Sequence, residues 1–164
     1  MSEPVQLRPP RHRVSRRAIT WWSTQAALEV AAILIPLVIA LLAWTDARPW
    51  LIPGTAAAAV IGLGYLLVMP RWRFHVHRWE TTQDAVYTSA GWIRQEWRIA
   101  PMSRIQTVDT ERGPLQQLFG LSTVTVTTAS AAGALRLTGL DRAVADDLVA
   151  QLTETTQATP GDAT

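Results

Sequence analysis

The chain has 164 residues, no cysteine and no lysine; all 15 of its basic residues are arginine. Without cysteine there is no disulfide, thiolate nucleophile or cysteine metal site, and without lysine there is no Schiff-base chemistry and no P-loop. Five arginines face Glu3 alone in the first nineteen residues, while from Arg71 onward nine arginines face ten acids. The basic excess therefore reads as membrane topology rather than nucleic-acid binding, and no basic stripe with interleaved aromatics is present.

Residues 1–19 form a basic arm holding Arg8, Arg11, His12, Arg13, Arg16 and Arg17. Two apolar runs follow, Trp21 to Trp44 and Leu51 to Met69. A bilayer core takes roughly 20 mostly apolar residues as helix, because each residue rises ~1.5 Å. The reading is a transmembrane helix at 20–44, an external turn at 45–50 and a second transmembrane helix at 51–69, folded as an antiparallel hairpin. A cleaved signal peptide fits poorly: the first run ends in Trp44-Thr45-Asp46 rather than small residues, and a second run follows at once. A soluble core is disfavoured, since a chain this short rarely hides two such helices on all sides.

Arginines flank both bases of the hairpin, with Arg71, Arg73 and Arg78 after the second run, while the turn carries only Asp46 and Arg48. Positive residues near span ends stay in the cytoplasm, so both termini are expected there, with a multi-pass anchor. Trp21, Trp22, Trp44, Trp50 and Trp72 stand at the run ends as interfacial anchors.

Residues 71–153 read as a separate cytoplasmic α+β domain, expected to fold without the spans. Trp72 to Arg78 alternates and predicts a strand, with His75 and His77 on one face. Ser89-Ala90-Gly91 predicts a tight turn between the strands Val86–Thr88 and Trp92–Ile99. In the latter, Ile93, Trp97 and Ile99 share a face opposite Arg94, Glu96 and Arg98. Strands at Ile105–Asp109, Thr123–Thr128 and Leu135–Leu137 continue the pattern. Pro114 to Gly120 is a short helix with proline first and glycine last. Asp141 caps a helix to Thr153 with Val144, Leu148 and Leu152 inward, and residues 154–164 read as a disordered tail.

Once these elements are placed, one set of residues carries a resemblance. Pro101, Ile105, Gln106 and Val108, then Gly113-Pro114-Leu115 and Phe119-Gly120-Leu121, then Val124 to Ala129, resemble the bacterial pleckstrin-homology (PH) proteins of the YdbS-like membrane class. The resemblance covers roughly Arg71 to Leu152 and suits the preceding hairpin. It implies a bent, nearly closed antiparallel β-barrel of about seven strands capped by the C-terminal helix, with Phe119 and Leu121 in its core. It also implies a membrane-anchored interaction module, found beside proteins with several such domains. Lipid-binding PH domains resemble one another in a basic loop between their first two strands; the segment Trp79 to Asp84 is acidic instead, which argues against headgroup recognition there.

Three groups stand out as interaction or assembly candidates. Glu29 lies within the first span, where a carboxylate is costly and calls for a partner such as Gln25, Tyr65 or another subunit. Gly54, Ala58 and Gly62 recur every four residues, a spacing that lets helices approach. Arg94, Glu96 and Arg98 form either an ion-pair row or a docking surface. His75 and His77 lack a third ligand at metal spacing. No serine lies in Gly-x-Ser-x-Gly. The expectation is a non-enzymatic module without cofactor or metal that docks a membrane or cytoplasmic protein, a multi-PH-domain protein being one candidate. Membrane lipids are the other expected partner, nucleic acid is not, and oligomerisation is left open. The alternatives are an accessory subunit of a transport or envelope-maintenance complex, acting through the spans, and an anionic-lipid sensor.

Overall fold

The structure, a computed structural model, describes residues 10–129 and 133–158. Arg8, Ser130 and the last six positions of the expected tail lie outside these residues. In chain order the elements are β1 (His12–Arg13), α1 (Arg17–Ala43), α2 (Arg48–Val76), β2 (Arg78–Thr81), β3 (Ala85–Gly91), β4 (Gln95–Pro101), a 3-10 turn (Met102–Arg104), β5 (Ile105–Glu111), α3 (Pro114–Leu118), β6 (Leu121–Thr128), β7 (Leu135–Asp141) and α4 (Arg142–Ala158).

The apolar runs form two helices of 27 and 29 residues, about 40 Å each by helical rise. Both outlast a hydrocarbon core of about 30 Å. Hydropathy marks both as candidate spans, and almost none of either apolar window is covered by protein. Leu28, Ile35, Ile39, Val60, Ile61 and Leu67 project outward, uncovered by the rest of the protein. Pro36 and Pro53 lie inside these helices; neighbouring helices and local adjustment satisfy such freed carbonyls in a bilayer.

The helix α2 runs on to Val76, so the strand expected at Trp72 to Arg78 is instead helix as far as Val76. Alternation over so few residues cannot outweigh the propagation of a helix already nucleated upstream. His75 and His77 consequently do not share a strand face: His75 is helical and exposed, and His77 is the buried residue that ends the helix.

The strands make two antiparallel sheets, β1-β2-β3-β4 and β5-β6-β7. They do not close into one barrel: Pro101 and the 3-10 turn separate β4 from β5, and no ladder joins those two strands. Six strands follow Arg71, and the seventh, β1, precedes the helices and pairs His12 with Trp79 and Arg13 with Arg78. The basic arm, from residue 10 onward, is therefore built into the sheet. The β3–β4 turn falls at residues 92–94 rather than 89–91, because β3 extends through Gly91. Gly91 makes the turn possible: it has φ 118°, and a Cβ there would lie 1.9 Å from the Arg94 carbonyl oxygen.

The core lies between the sheets and under α4. Val86 and Ala100 of one sheet meet Leu121, Val124, Val126, Leu135 and Leu137 of the other. On α4 the buried face is Ala145, Leu148 and Leu152, while Val144 is exposed, because the inward stripe follows the i, i+3, i+7 positions. The helix continues to Ala158, past the expected end at Thr153, so residues 154–158 are not a disordered tail. Leu121 is fully buried and Phe119 only partly, packed against the core from outside.

The same core contains Val14, Ala18, Trp21, Trp22 and Ala26 from the chain before the expected domain. The seat for α1 is a bulge in β7. The β6–β7 register slips between Ser122 and Thr123, leaving Gly139 with φ 83° and its carbonyl accepting from the Ser15 N–H at 2.9 Å. A Cβ at Gly139 would stand 3.0 Å from the Ala18 Cβ, so the bulge and the missing side chain together let the helix approach. The lower end of the first apolar run is thus part of the domain core, not an anchor separate from it.

Candidate functional site

Glu29 lies one turn above Ala26, the last core residue of α1. This places it just above the domain rather than midway along a span. Its Oε2 accepts a hydrogen bond of 3.0 Å from the Tyr65 hydroxyl on α2; of the partners expected for it, Tyr65 is the one the fold supplies. The two residues edge a groove of about 340 Å³ between the helices, floored by Val30, Ala58 and Gly62. Gly62 is the point of closest approach, since a Cβ there would fall 2.8 Å from a Val30 methyl. The small-residue stripe divides accordingly. Ala58 and Gly62 face α1, whereas nothing lies within 4 Å of a Cβ built on Gly54.

On β4, Trp97 lies opposite Ser89 and Ile99 opposite Tyr87. The alternation of Trp97 and Ile99 against Glu96 and Arg98 is as the sequence predicts. Its sense is not: Ala100 and half-buried Arg98 turn inward, and Trp97 and Ile99 stand 56% and 43% exposed. Trp97 is held by its indole N–H, which donates to Ser89 Oγ at 2.7 Å. Ile93 and Arg94 fall in the turn. Glu96 bridges Arg98 at 3.3 Å and Arg94 at 4.0 Å, and Arg98 also donates to the Ala134 carbonyl at 2.9 Å, tying β4 to the start of β7. The outer edge of β4 pairs with no other strand among the described residues.

Three arginines of the arm are engaged. The Arg11 N–H donates to Glu80 at 3.2 Å, with its guanidinium 3.5 Å from the same carboxylate. Arg13 lies over the Phe74 ring, 5.8 Å from its centroid. Arg17 is 3.8 Å from Asp141. An open hollow lined by Arg16, Arg17, Arg142, Asp141 and Asp146 therefore carries both signs of charge. Glu80, expected in an acidic loop, is a buried strand residue.

His77 packs against Trp22 with ring centroids 5.0 Å apart, and its Nδ1–H donates to the Arg73 carbonyl at 2.8 Å. Burial pushes its pKa down to about 4 from an ordinary 6.5; the hydrogen bond opposes this and the Arg73 charge adds to it. No group of three His, Asp or Glu side chains suited to a metal ion occurs among the described residues.

Two features escaped the sequence reading. Trp92 reaches from the β3–β4 turn to the Tyr65 ring, edge-on at 5.9 Å between centroids. Trp22 is wholly buried at the junction of α1 with the domain. No sequence signal marked the first, because Trp92 and Ile93 read as the start of a strand rather than as a turn.

A family model described as Bacterial PH domain matches residues 17–156. The UPF0699 transmembrane protein YdbS of Bacillus subtilis (strain 168) is 29% identical over 125 residues, covering 74% of this chain and 78% of that protein. No solved structure is a significant match. The family match begins at the first residue of α1 and ends within α4, so it treats helices and strands as one unit, as the shared core does. With a transmembrane relative and two apolar helices uncovered by protein, this is a membrane protein. The chain belongs to the bacterial PH domain family.

Proposed function

We propose that this protein is a membrane-anchored, non-enzymatic PH-like module that docks a protein partner at the inner face of the bacterial cell membrane, with the hairpin crossing twice and both termini in the cytoplasm. The observation that carries this reading is β4: an edge strand with Trp97 and Ile99 exposed on one face and the ion-paired Arg94, Glu96 and Arg98 alongside. An unpaired strand edge presents a row of backbone N–H and C=O groups, and the partner that fits it is an extended protein segment adding a strand. Glu80, Asp141 and Asp146 offset much of the positive charge of the arm and of the α1–α4 hollow, so a lipid-sensing role is the less favoured reading.

A photo-crosslinking residue placed at Trp97 in the full chain, in cells, tests this. One adduct of defined mass that is lost on Ile99→Asp is expected. No adduct, or the same adducts from a probe at Asp147, would sink the docking reading. Orientation is tested separately: a single cysteine at Asp46 should react with an impermeant reagent in intact cells, and one at Asp147 should not.

One observation favours a second reading, an accessory subunit contacting its partner through the spans. Gly54 presents a bare helix surface away from α1, and the Glu29–Tyr65 groove opens sideways. A partner lost on Gly54→Leu but retained on Ile99→Asp would favour it.

A further inference from the structure

We infer that the β3–β4 turn, Trp92–Arg94, dips into the domain-side leaflet of the bilayer that the hairpin crosses, so that Trp92 and Ile93 form a second membrane anchor. The inference rests on the hairpin reading above. Its basis is a depth comparison. Trp44 and Trp50 mark the far interface, where aromatic belts sit. Glu29 lies 15 residues before Trp44 and Tyr65 lies 15 residues after Trp50, each about 22 Å down the helix. Their hydrogen bond shows that the two residues are level. A hydrocarbon core of about 30 Å extends roughly 8 Å further, to the neighbourhood of Pro70 and Arg71. Trp92, packed against Tyr65, is therefore inside the apolar slab, near its domain-side boundary.

The chemistry of the turn suits that depth. Ile93 is 82% exposed at the tip, as open as any large apolar side chain of the domain. Water is a poor solvent for it, and an acyl chain is not. Gly91 fixes the turn sharply enough to present that side chain outward. Arg94 follows, with its side chain 89% exposed, and is long enough to return its charge to the headgroups from a backbone at this depth. Tyr65, already donating to Glu29, places a polar cluster where the hydrocarbon thins toward the interface. The anchor would fix the rotation of the domain about the hairpin axis, so that the β4 edge faces along the membrane in one orientation instead of swinging freely.

The absence of cysteine makes single-site labelling direct. The full chain carrying Ile93→Cys, Leu28→Cys or Asp147→Cys is spin-labelled and reconstituted in vesicles of phosphatidylethanolamine and phosphatidylglycerol. Collision with oxygen, which partitions into lipid, is compared with collision with a water-soluble nickel chelate. The oxygen-to-nickel ratio at Ile93 is expected to be several-fold above that at Asp147 and on the side of Leu28. A ratio at Ile93 equal to that at Asp147 overturns the inference, and so does shielding from both reagents, which would mark a protein contact. If Leu28 itself reports water, the hairpin reading fails first; if Leu28 reports lipid and Ile93 does not, the second anchor alone is lost.

Discussion

The lower and upper parts of α1 both carry large apolar side chains, and the fold treats them differently. Between Arg17 and Ala26, the side chains of Ala18, Trp21, Trp22 and Ala26 are buried against β7 and the end of α2. Between Leu28 and Ala43, Leu28, Ile33, Ile35, Ile39 and Leu42 are all more than half exposed. One helix thus serves as a core element below and a candidate span, uncovered by protein, above, with Glu29 close to the change. Hydropathy measures transfer out of water and is blind to whether protein or lipid receives the side chain. The physical distinction is packing: a protein interior is close-packed and loses contacts when a side chain is cut back, whereas lipid flows in to fill the space.

The largest test of that contrast is to cut the chain between the two regions. A fragment of residues 71–164 lacks β1 and the five core residues from Val14 to Ala26. It should show no cooperative unfolding by calorimetry or near-ultraviolet circular dichroism; a sharp two-state melt would show that the lower helix is dispensable. Next in size is Trp22→Ala, which empties a fully buried site and should cost about 3–5 kcal/mol in denaturant unfolding of the detergent-solubilised protein. Ile35→Ala, on the 57% exposed stretch, should leave the midpoint nearly unmoved. Equal effects from the two would erase the distinction between the regions.

The His77 contact with Trp22 sharpens it through pH. The folded chain protonates this imidazole only near 4, against 6.5 when unfolded. Between those values the unfolded state binds more protons, so stability falls as pH falls. Its contribution is complete above pH 6.5 and gone by about pH 4, a total of about 3 kcal/mol. Thermal melts from pH 7.5 to 4 should show the loss, and His77→Gln should flatten it; an unchanged slope in that variant would place the acid sensitivity elsewhere. The smallest effect expected is within the hairpin. Gly62→Val drives a methyl into Val30 and should destabilise by about 1–3 kcal/mol, while Gly54→Val, which meets nothing, should be silent in the isolated protein.

Much of the candidate site was readable as residue types but not as placements. Trp97 and Ile99 declare an apolar face by alternation, yet alternation has no sign: only the packing of Ala100 and its neighbour Val86 in the core turned that face outward. Glu29 announced a cost, and the pairing of α1 with α2 supplied Tyr65 to meet it. Gly91 predicted a turn and was displaced from its centre, because strand pairing ran on to Gly91 opposite Gln95.

The sequence by itself determined the elements that depend on local or additive physics. The two apolar helices follow from length and hydropathy, the Pro114 helix from proline at its start and glycine beyond its end, and the strand Thr123 to Thr128 from its run of β-branched residues. The tertiary structure alone decided which parts of those helices are covered by the domain and which are left bare. It brought β1 from residue 12 to residue 79 and seated α1 on the Gly139 bulge, and it carried Trp92 up to Tyr65. Each of these joins groups far apart in the chain. Such contacts depend on shape and register rather than on composition within a window, and no local pattern encodes them.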